Sequence, residues 1–209
     1  SVCRFYGRDY AIKSYGPIIV RPSDKKDHYV KRCVAVAGDT LSVVNGQVYI
    51  NSFAQTVWPG VQTTYTVTTD GTRINLKKLE KLGLNISELQ YDETLPGYPD
   101  MPLTAEMLKE VESCTNVTDI QEDIDVYPPD YPDSYLMLFP YKESFRWTRD
   151  NYGPIWIPEA GVTVKLTSEN LPLYERIIRV YEHNDLKIGA DGKILINGVQ
   201  TDEYTFKQD

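Results

Sequence analysis

The dipeptide Asn45-Gly46 stands between two β-branched runs, and it constrains the possible folds of this chain more than any other feature. Both residue types accept the positive φ angles of a two-residue turn, so this pattern predicts a β-hairpin. A second hairpin is predicted near the other end of the chain, where Asp191-Gly192 precedes an apolar run. The stretches 44–51 and 190–197 resemble each other, and we interpret the likeness as shared turn chemistry and not as duplication.

Short β-branched and aromatic runs recur along the chain between turn residues, which is typical of a mainly β protein with a few short helices. Strands are predicted at 18–21, 29–37, 65–69 and 162–166. Helices are predicted after Asn75, after the capping residue Thr104, and over 170–181 with Leu173, Ile177 and Val180 on one face.

Negative charge is concentrated in residues 91–135, which hold twelve acidic residues and one base, a net charge of −11. The whole chain carries −8, so the remainder is +3 and nearly neutral. This local acidity argues against a nucleic-acid partner. The acidic residues 119–125 leave calcium binding open as an alternative to a solvated face, although their spacing does not match a calcium loop.

The chain has three scattered cysteines and no apolar run of the length that crosses a bilayer. An odd number of cysteines without metal-ligand spacing argues against a disulfide framework, although a single pair such as Cys3 with Cys33 stays open. We therefore expect a piece with its own hydrophobic core that spans no membrane.

A lysine stands inside an apolar run, since residues 28–39 read H-Y-V-K-R-C-V-A-V-A-G-D. Burial disfavours the charged form of a lysine, and a neutral lysine is a general base. Lys31 is therefore the candidate catalytic residue. The alternative interpretation is a strand lysine whose stem lies on the sheet and whose nitrogen lies in water.

The order of the segments around Lys31 resembles that of bacterial signal peptidase I, the Ser/Lys membrane endopeptidase that removes secretory signal peptides. The family reads G-D-I-V-V-F, then D-Y-I-K-R-x-V-G-x-P-G-D, then a hairpin. Residues 16–21 here read G-P-I-I-V-R, and the lysine segment and the Asn-Gly hairpin follow. The resemblance covers residues 16–51 and returns weakly over 186–209.

This resemblance implies a role for each matching residue. Lys31 would be the general base, and Arg32, Gly38 and Asp39 would support the catalytic core. The substrate-binding residues would be Tyr29 and Val30, for the small residue before the scissile bond, and Val20 and His28, for the neighbouring subsite. The resemblance implies neither a cofactor nor a metal ion.

The resemblance also implies an architecture and a location. We expect residues 1–51 and 186–209 to belong to a signal-peptidase-like β core, with 52–185 as a large, mixed α/β insert. The expected partners are signal peptides of secretory preproteins, and the membrane through an upstream helix. The catalytic part would lie on the periplasmic side of the bacterial inner membrane.

Two motifs of the family are missing from this sequence, namely Ser-Met-x-Pro with the nucleophile and the later Gly-Asp-Asn-Arg. We therefore expect a fragment of the enzyme that is inactive alone. An alternative is a non-catalytic periplasmic module in which some of the sixteen tyrosines bind a peptide or glycan. Self-cleaving repressors share the dyad, but they lack a mid-chain insert of this size.

Overall fold

The computed structural model describes residues 6–20, 22–25, 30–127, 138–189 and 192–208 of the chain. The chain divides into two compact units, Ser1–Val34 and Ala35–Asp209. In the first unit, helix α1 spans Arg8–Tyr15 and a 3-10 turn spans Ser23–Lys25. Glycines with positive φ stand at both ends of α1, where they let the backbone leave the helical path.

The second unit is mainly β, which confirms the predicted fold class. Its strands are β1 (Thr40–Val44), β2 (Gln47–Ile50), β3 (Phe53–Ala54), β4 (Thr63–Thr69), β5 (Gly97–Leu103), β6 (Val117–Glu122), β7 (Asn151–Trp156), β8 (Thr163–Lys165), β9 (Leu186–Ile188), β10 (Ile194–Ile196), β11 (Val199–Gln200) and β12 (Glu203–Thr205). Its α-helices are α2 (Lys77–Lys81), α3 (Ala105–Glu112) and α4 (Leu171–Arg176), with 3-10 turns at Ile86–Glu88 and Glu143–Phe145.

The predicted Asn45-Gly46 hairpin is confirmed and belongs to an antiparallel sheet with the order β3-β2-β1-β7. Asn45 has a φ of 47° and Gly46 a φ of 76°, the backbone that this turn requires. Strand β7 comes from far along the chain and pairs with β1 across a bulge. The sheet therefore joins the hairpin to the second half of the chain.

One hydrophobic core lies among β7, α4 and the last strands. Phe206 is 1% exposed and Ile178 0%, and both pack in a cluster that also takes in Ile155 of β7. The predicted strand at 162–166 is confirmed as β8, which pairs with β12. β9, β10 and β11 form a further antiparallel sheet, which confirms the pairing of the second hairpin, whereas Asp191 lies outside the described residues.

A second core forms under the sheet β5-β4-β6, which contains the predicted strand at 65–69. Helix α3 begins where predicted, because the Thr104 hydroxyl accepts a hydrogen bond from the Met107 N–H at 3.2 Å. Met107 and Val111 on its inner face are buried against β4 and β5 residues. The predicted helix after Asn75 is confirmed as α2, which ends before Gly83.

The helix predicted over 170–181 is only partly α-helical. It begins as α4 and continues as a π-helix over Ile177–Tyr181. The wider turn rotates the following side chains, so Ile178 is fully buried while Val180 is 53% exposed. The prediction of Val180 on the inner face is therefore wrong, whereas Leu173 is buried as predicted.

The division into a core of residues 1–51 with 186–209 and an insert of 52–185 stays a prediction. Among the described residues, no helix combines the length and the apolar character that crossing a membrane requires.

Candidate functional site

The segment that carries Lys31 is irregular, so the strand predicted over 29–37 is wrong for its described part. Residues 30–36 have no regular structure and a turn follows at Ala37-Gly38. A β-branched run becomes a strand only when its N–H and C=O groups pair with another strand, and no described strand pairs with this run. The strand predicted at 18–21 is wrong for residues 18–20 as well, and Arg21 lies outside the described residues.

Lys31 and Arg32 are both exposed in this segment. The low-dielectric surroundings expected around Lys31 are therefore not supplied by the described residues, and the catalytic role of Lys31 stays a prediction. Two of the predicted substrate-binding residues are exposed as well, Val20 by 83% and Val30 by 94%. The other two, His28 and Tyr29, lie outside the described residues.

The turn after the lysine segment, by contrast, is firmly held. The Gly38 N–H donates to the Ile157 carbonyl at 3.0 Å, and the Ile157 N–H donates to the Asp39 carbonyl at 2.8 Å. Gly38 has a φ of +85°, and a Cβ there would lie 2.9 Å from a carboxylate oxygen of Glu159. A side chain at position 38 would thus be strained by its backbone and crowded by its neighbour.

The Asp39 carboxylate accepts two hydrogen bonds, from the Val36 N–H at 3.0 Å and from the Asn51 side-chain amide at 2.8 Å. These donors, the backbone one first, lower the pKa of Asp39, because they stabilise the charged carboxylate. Asn51 was not among the residues singled out from the sequence. The available signal was its place at the end of the stretch 44–51, which resembles 190–197.

The acidic residues of the second unit line a cavity of about 580 Å³. Its walls include Asp100, Glu122, Asp123, Asp125 and Asp150. Asp125 pairs with the Arg149 guanidinium at 2.6 Å. Within the described part of the chain, no group of three or more His, Cys, Asp or Glu side chains is arranged to hold a metal ion.

The cysteines Cys33 and Cys114 form no disulfide bond, and Cys3 lies outside the described residues. Burial raises the pKa of the half-buried Cys114 thiol, which makes it less reactive as a nucleophile at neutral pH.

Comparison with known proteins gives one match. The family model described as signal peptidase, peptidase S26, matches residues 8–118, more than half of the chain. The matched range contains the Lys-Arg pair, the Gly38-Asp39 turn and the hairpin up to Asn51. No curated protein and no solved structure matches the chain significantly.

Proposed function

Because this chain belongs to the signal peptidase family, peptidase S26, we propose that it takes part in cleaving signal peptides from secretory preproteins by a Ser/Lys dyad. The observation that carries the proposal is the family match over residues 8–118, which includes Lys31. The spacing of the Lys-Arg pair from the Gly38-Asp39 turn supports it.

In the proposed mechanism, Lys31 is the general base. A serine hydroxyl attacks the carbonyl carbon of the scissile bond, and the neutral amine of Lys31 takes the hydroxyl proton. When the tetrahedral intermediate collapses, the C–N bond breaks and the Lys31 ammonium returns the proton to the leaving amine. Water then attacks the acyl-enzyme with Lys31 again as the base, which releases the signal peptide and the free serine.

An exposed ammonium group stays charged, so Lys31 must be covered before it acts as a base. We propose that the polypeptide that bears the serine, together with the substrate, supplies this cover. The nucleophile would come from a Ser-Met-x-Pro segment, which these 209 residues do not contain. On this proposal the 209 residues alone are inactive.

The substrate would bind in an extended conformation next to Lys31. Tyr29 and Val30 would contact the small residue before the scissile bond, and Val20 and His28 the neighbouring subsite. The exposed apolar side chains of Val20 and Val30 support this, because contact with substrate would bury surface that the described residues leave open. We further propose attachment to the bacterial inner membrane through an upstream helix, with the catalytic part on the periplasmic side.

The test is a lysine substitution in the protein that includes a Ser-Met-x-Pro segment. Lys31→Ala should lower kcat for a signal-peptide substrate by at least about 10²-fold, because general-base catalysis is lost. Lys13→Ala is the matched control, since Lys13 is also exposed and belongs to the same unit. Cleavage by Lys31→Ala at the control rate, with equal melting temperatures, would remove Lys31 from the mechanism.

The 209 residues themselves provide a second test. Incubated with the same substrate, they should release no signal peptide. If they cleave it, the nucleophile lies within this sequence, and substitution of each of its serines would then identify it.

A further inference from the structure

Asn51 connects both strands of the first hairpin to the turn behind Lys31. Its side-chain oxygen accepts a hydrogen bond from the Thr40 N–H at 2.8 Å, and its N–H donates to the Thr40 carbonyl at 2.9 Å. Its side-chain amide donates to Asp39 at 2.8 Å. Asn51 has a φ of 51°, a conformation that asparagine accepts more readily than most residues. This left-handed residue aims its amide back at the start of β1.

Asp39 passes this connection on to Val36. One carboxylate oxygen accepts from Asn51 and the other accepts from the Val36 N–H at 3.0 Å, while the Asp39 N–H donates to the Val36 carbonyl at 3.1 Å. Val36 is the last residue of the irregular segment 30–36, which carries Lys31. The chain of hydrogen bonds from Asn51 through Asp39 therefore fixes the end of the lysine segment.

The second hairpin contains the same arrangement without a lysine segment. Asn197 has a φ of 53°, and its side-chain oxygen accepts from the Asp185 N–H at 2.9 Å. Its N–H donates to the Asp185 carbonyl at 2.8 Å, and its side-chain amide donates to the Asn184 side-chain oxygen at 2.9 Å. The likeness between 44–51 and 190–197 thus extends to the hydrogen bonds, and Asn197 is a natural control for Asn51.

We propose that Asn51 is a positioning residue for Lys31, acting through Asp39 to fix the direction in which the segment 30–36 leaves the hairpin. The inference rests on the proposed function of Lys31. In an extended segment, consecutive side chains point to opposite sides, so a small change at Val36 redirects Lys31. A displacement of about 1 Å at a reacting group can cost about 10²-fold in rate.

The decisive variant is Asn51→Gly, in the protein that includes a Ser-Met-x-Pro segment. Glycine accepts the positive φ, so the substitution removes the side-chain hydrogen bonds without straining the backbone. Asn197→Gly removes the matching bonds in the second hairpin. We expect Asn51→Gly to lower kcat between about 10-fold and 10²-fold with KM nearly unchanged, and Asn197→Gly to leave kcat within about twofold.

An exchange of the two side chains tests the route through Asp39. In the double variant Asp39→Asn with Asn51→Asp, the new amide at position 39 can donate to the new carboxylate at position 51, and its oxygen can still accept from the Val36 N–H. We expect this pair to recover most of the kcat that Asn51→Asp alone loses, because the single variant places two carboxylates against each other. Failure of the pair to recover kcat would remove Asp39 from the route.

Amide hydrogen exchange measures the clamp independently of activity. The Val36 amide should exchange faster in Asn51→Gly and at the normal rate in Asn197→Gly. Equal losses of kcat and melting temperature in the two glycine variants would overturn the inference, since the effect would be general destabilisation. So would an unchanged kcat in Asn51→Gly when Lys31→Ala is inactive. An active Lys31→Ala would instead refute the proposed function itself.

Discussion

Tyr204 donates its phenolic hydrogen to the carboxylate of Glu182, and both side chains are buried. The other carboxylate oxygen accepts from the N–H groups of Lys207 and Gln208, at 2.7 and 3.2 Å. Asn184 donates to the Tyr204 hydroxyl at 2.6 Å. A buried carboxylate thus gains three donors, and the chain after β12 is held against the first core.

We expect Glu182→Ala to lower the free energy of unfolding by about 3 kcal/mol, because it leaves buried donors without an acceptor. Urea unfolding of the 209 residues measures this. Glu175→Ala is the control, since it removes only an exposed ion pair with Arg179 and should cost less than about 0.5 kcal/mol. Equal midpoints for the two variants would show that the Glu182 network contributes little.

Burial in the first core raises the pKa of Tyr152 from 10.0 to about 12, with a smaller contribution from Tyr141. The folded protein therefore keeps a proton that the unfolded chain loses above pH 10. This contribution to stability is complete below about pH 10 and disappears as the pH rises to about 12. Tyr152→Phe should flatten the decline over that window, as measured by urea unfolding at a series of pH values. A decline of unchanged slope would contradict the assignment.

Two glycines with nearly the same backbone separate steric crowding from backbone strain. A Cβ on Gly153, with a φ of +87°, would lie 2.6 Å from the Leu41 carbonyl oxygen, whereas Gly161, with a φ of +82°, has open space. We expect Gly161→Ala to cost about 1 kcal/mol and Gly153→Ala at least about 3 kcal/mol. Thermal unfolding of both variants gives the comparison. Equal losses would mean that β1 and β7 move apart easily.

The cap of α3 provides a local test. Thr104→Ala removes the acceptor for the Met107 N–H and should cost about 1 kcal/mol, measured by urea unfolding. Thr104→Ser keeps the hydroxyl and is the matched control. A serine variant as unstable as the alanine variant would show that the methyl group of Thr104 matters more than its hydrogen bond.

The elements predicted correctly are those whose signals lie within a few residues. The Asn45-Gly46 turn requires only two positive φ angles, and the Thr104 cap requires a hydroxyl three residues before its donor. The strand expected at 29–37 failed because an apolar run forms a strand only when another strand pairs with it. The π-helix after α4 shifted the buried side chain to Ile178, which a regular helical period does not anticipate.

The candidate site divides in the same way. Lys31 and the Gly38-Asp39 turn were found from the spacing of a few residue types, and the family match includes them. Asn51 was missed because its partner Asp39 lies twelve residues away and is met only when β2 folds back along β1.

The sequence by itself determined the β-rich class, the hairpin turns, the helix caps and the membership of a peptidase family, because these depend on neighbouring residues and on their order. Only the tertiary structure decided that β7 completes the first sheet, that Lys31 is exposed and that Asn51 holds the turn behind it. Such contacts join residues far apart in the chain, and their formation depends on how all the competing segments pack together.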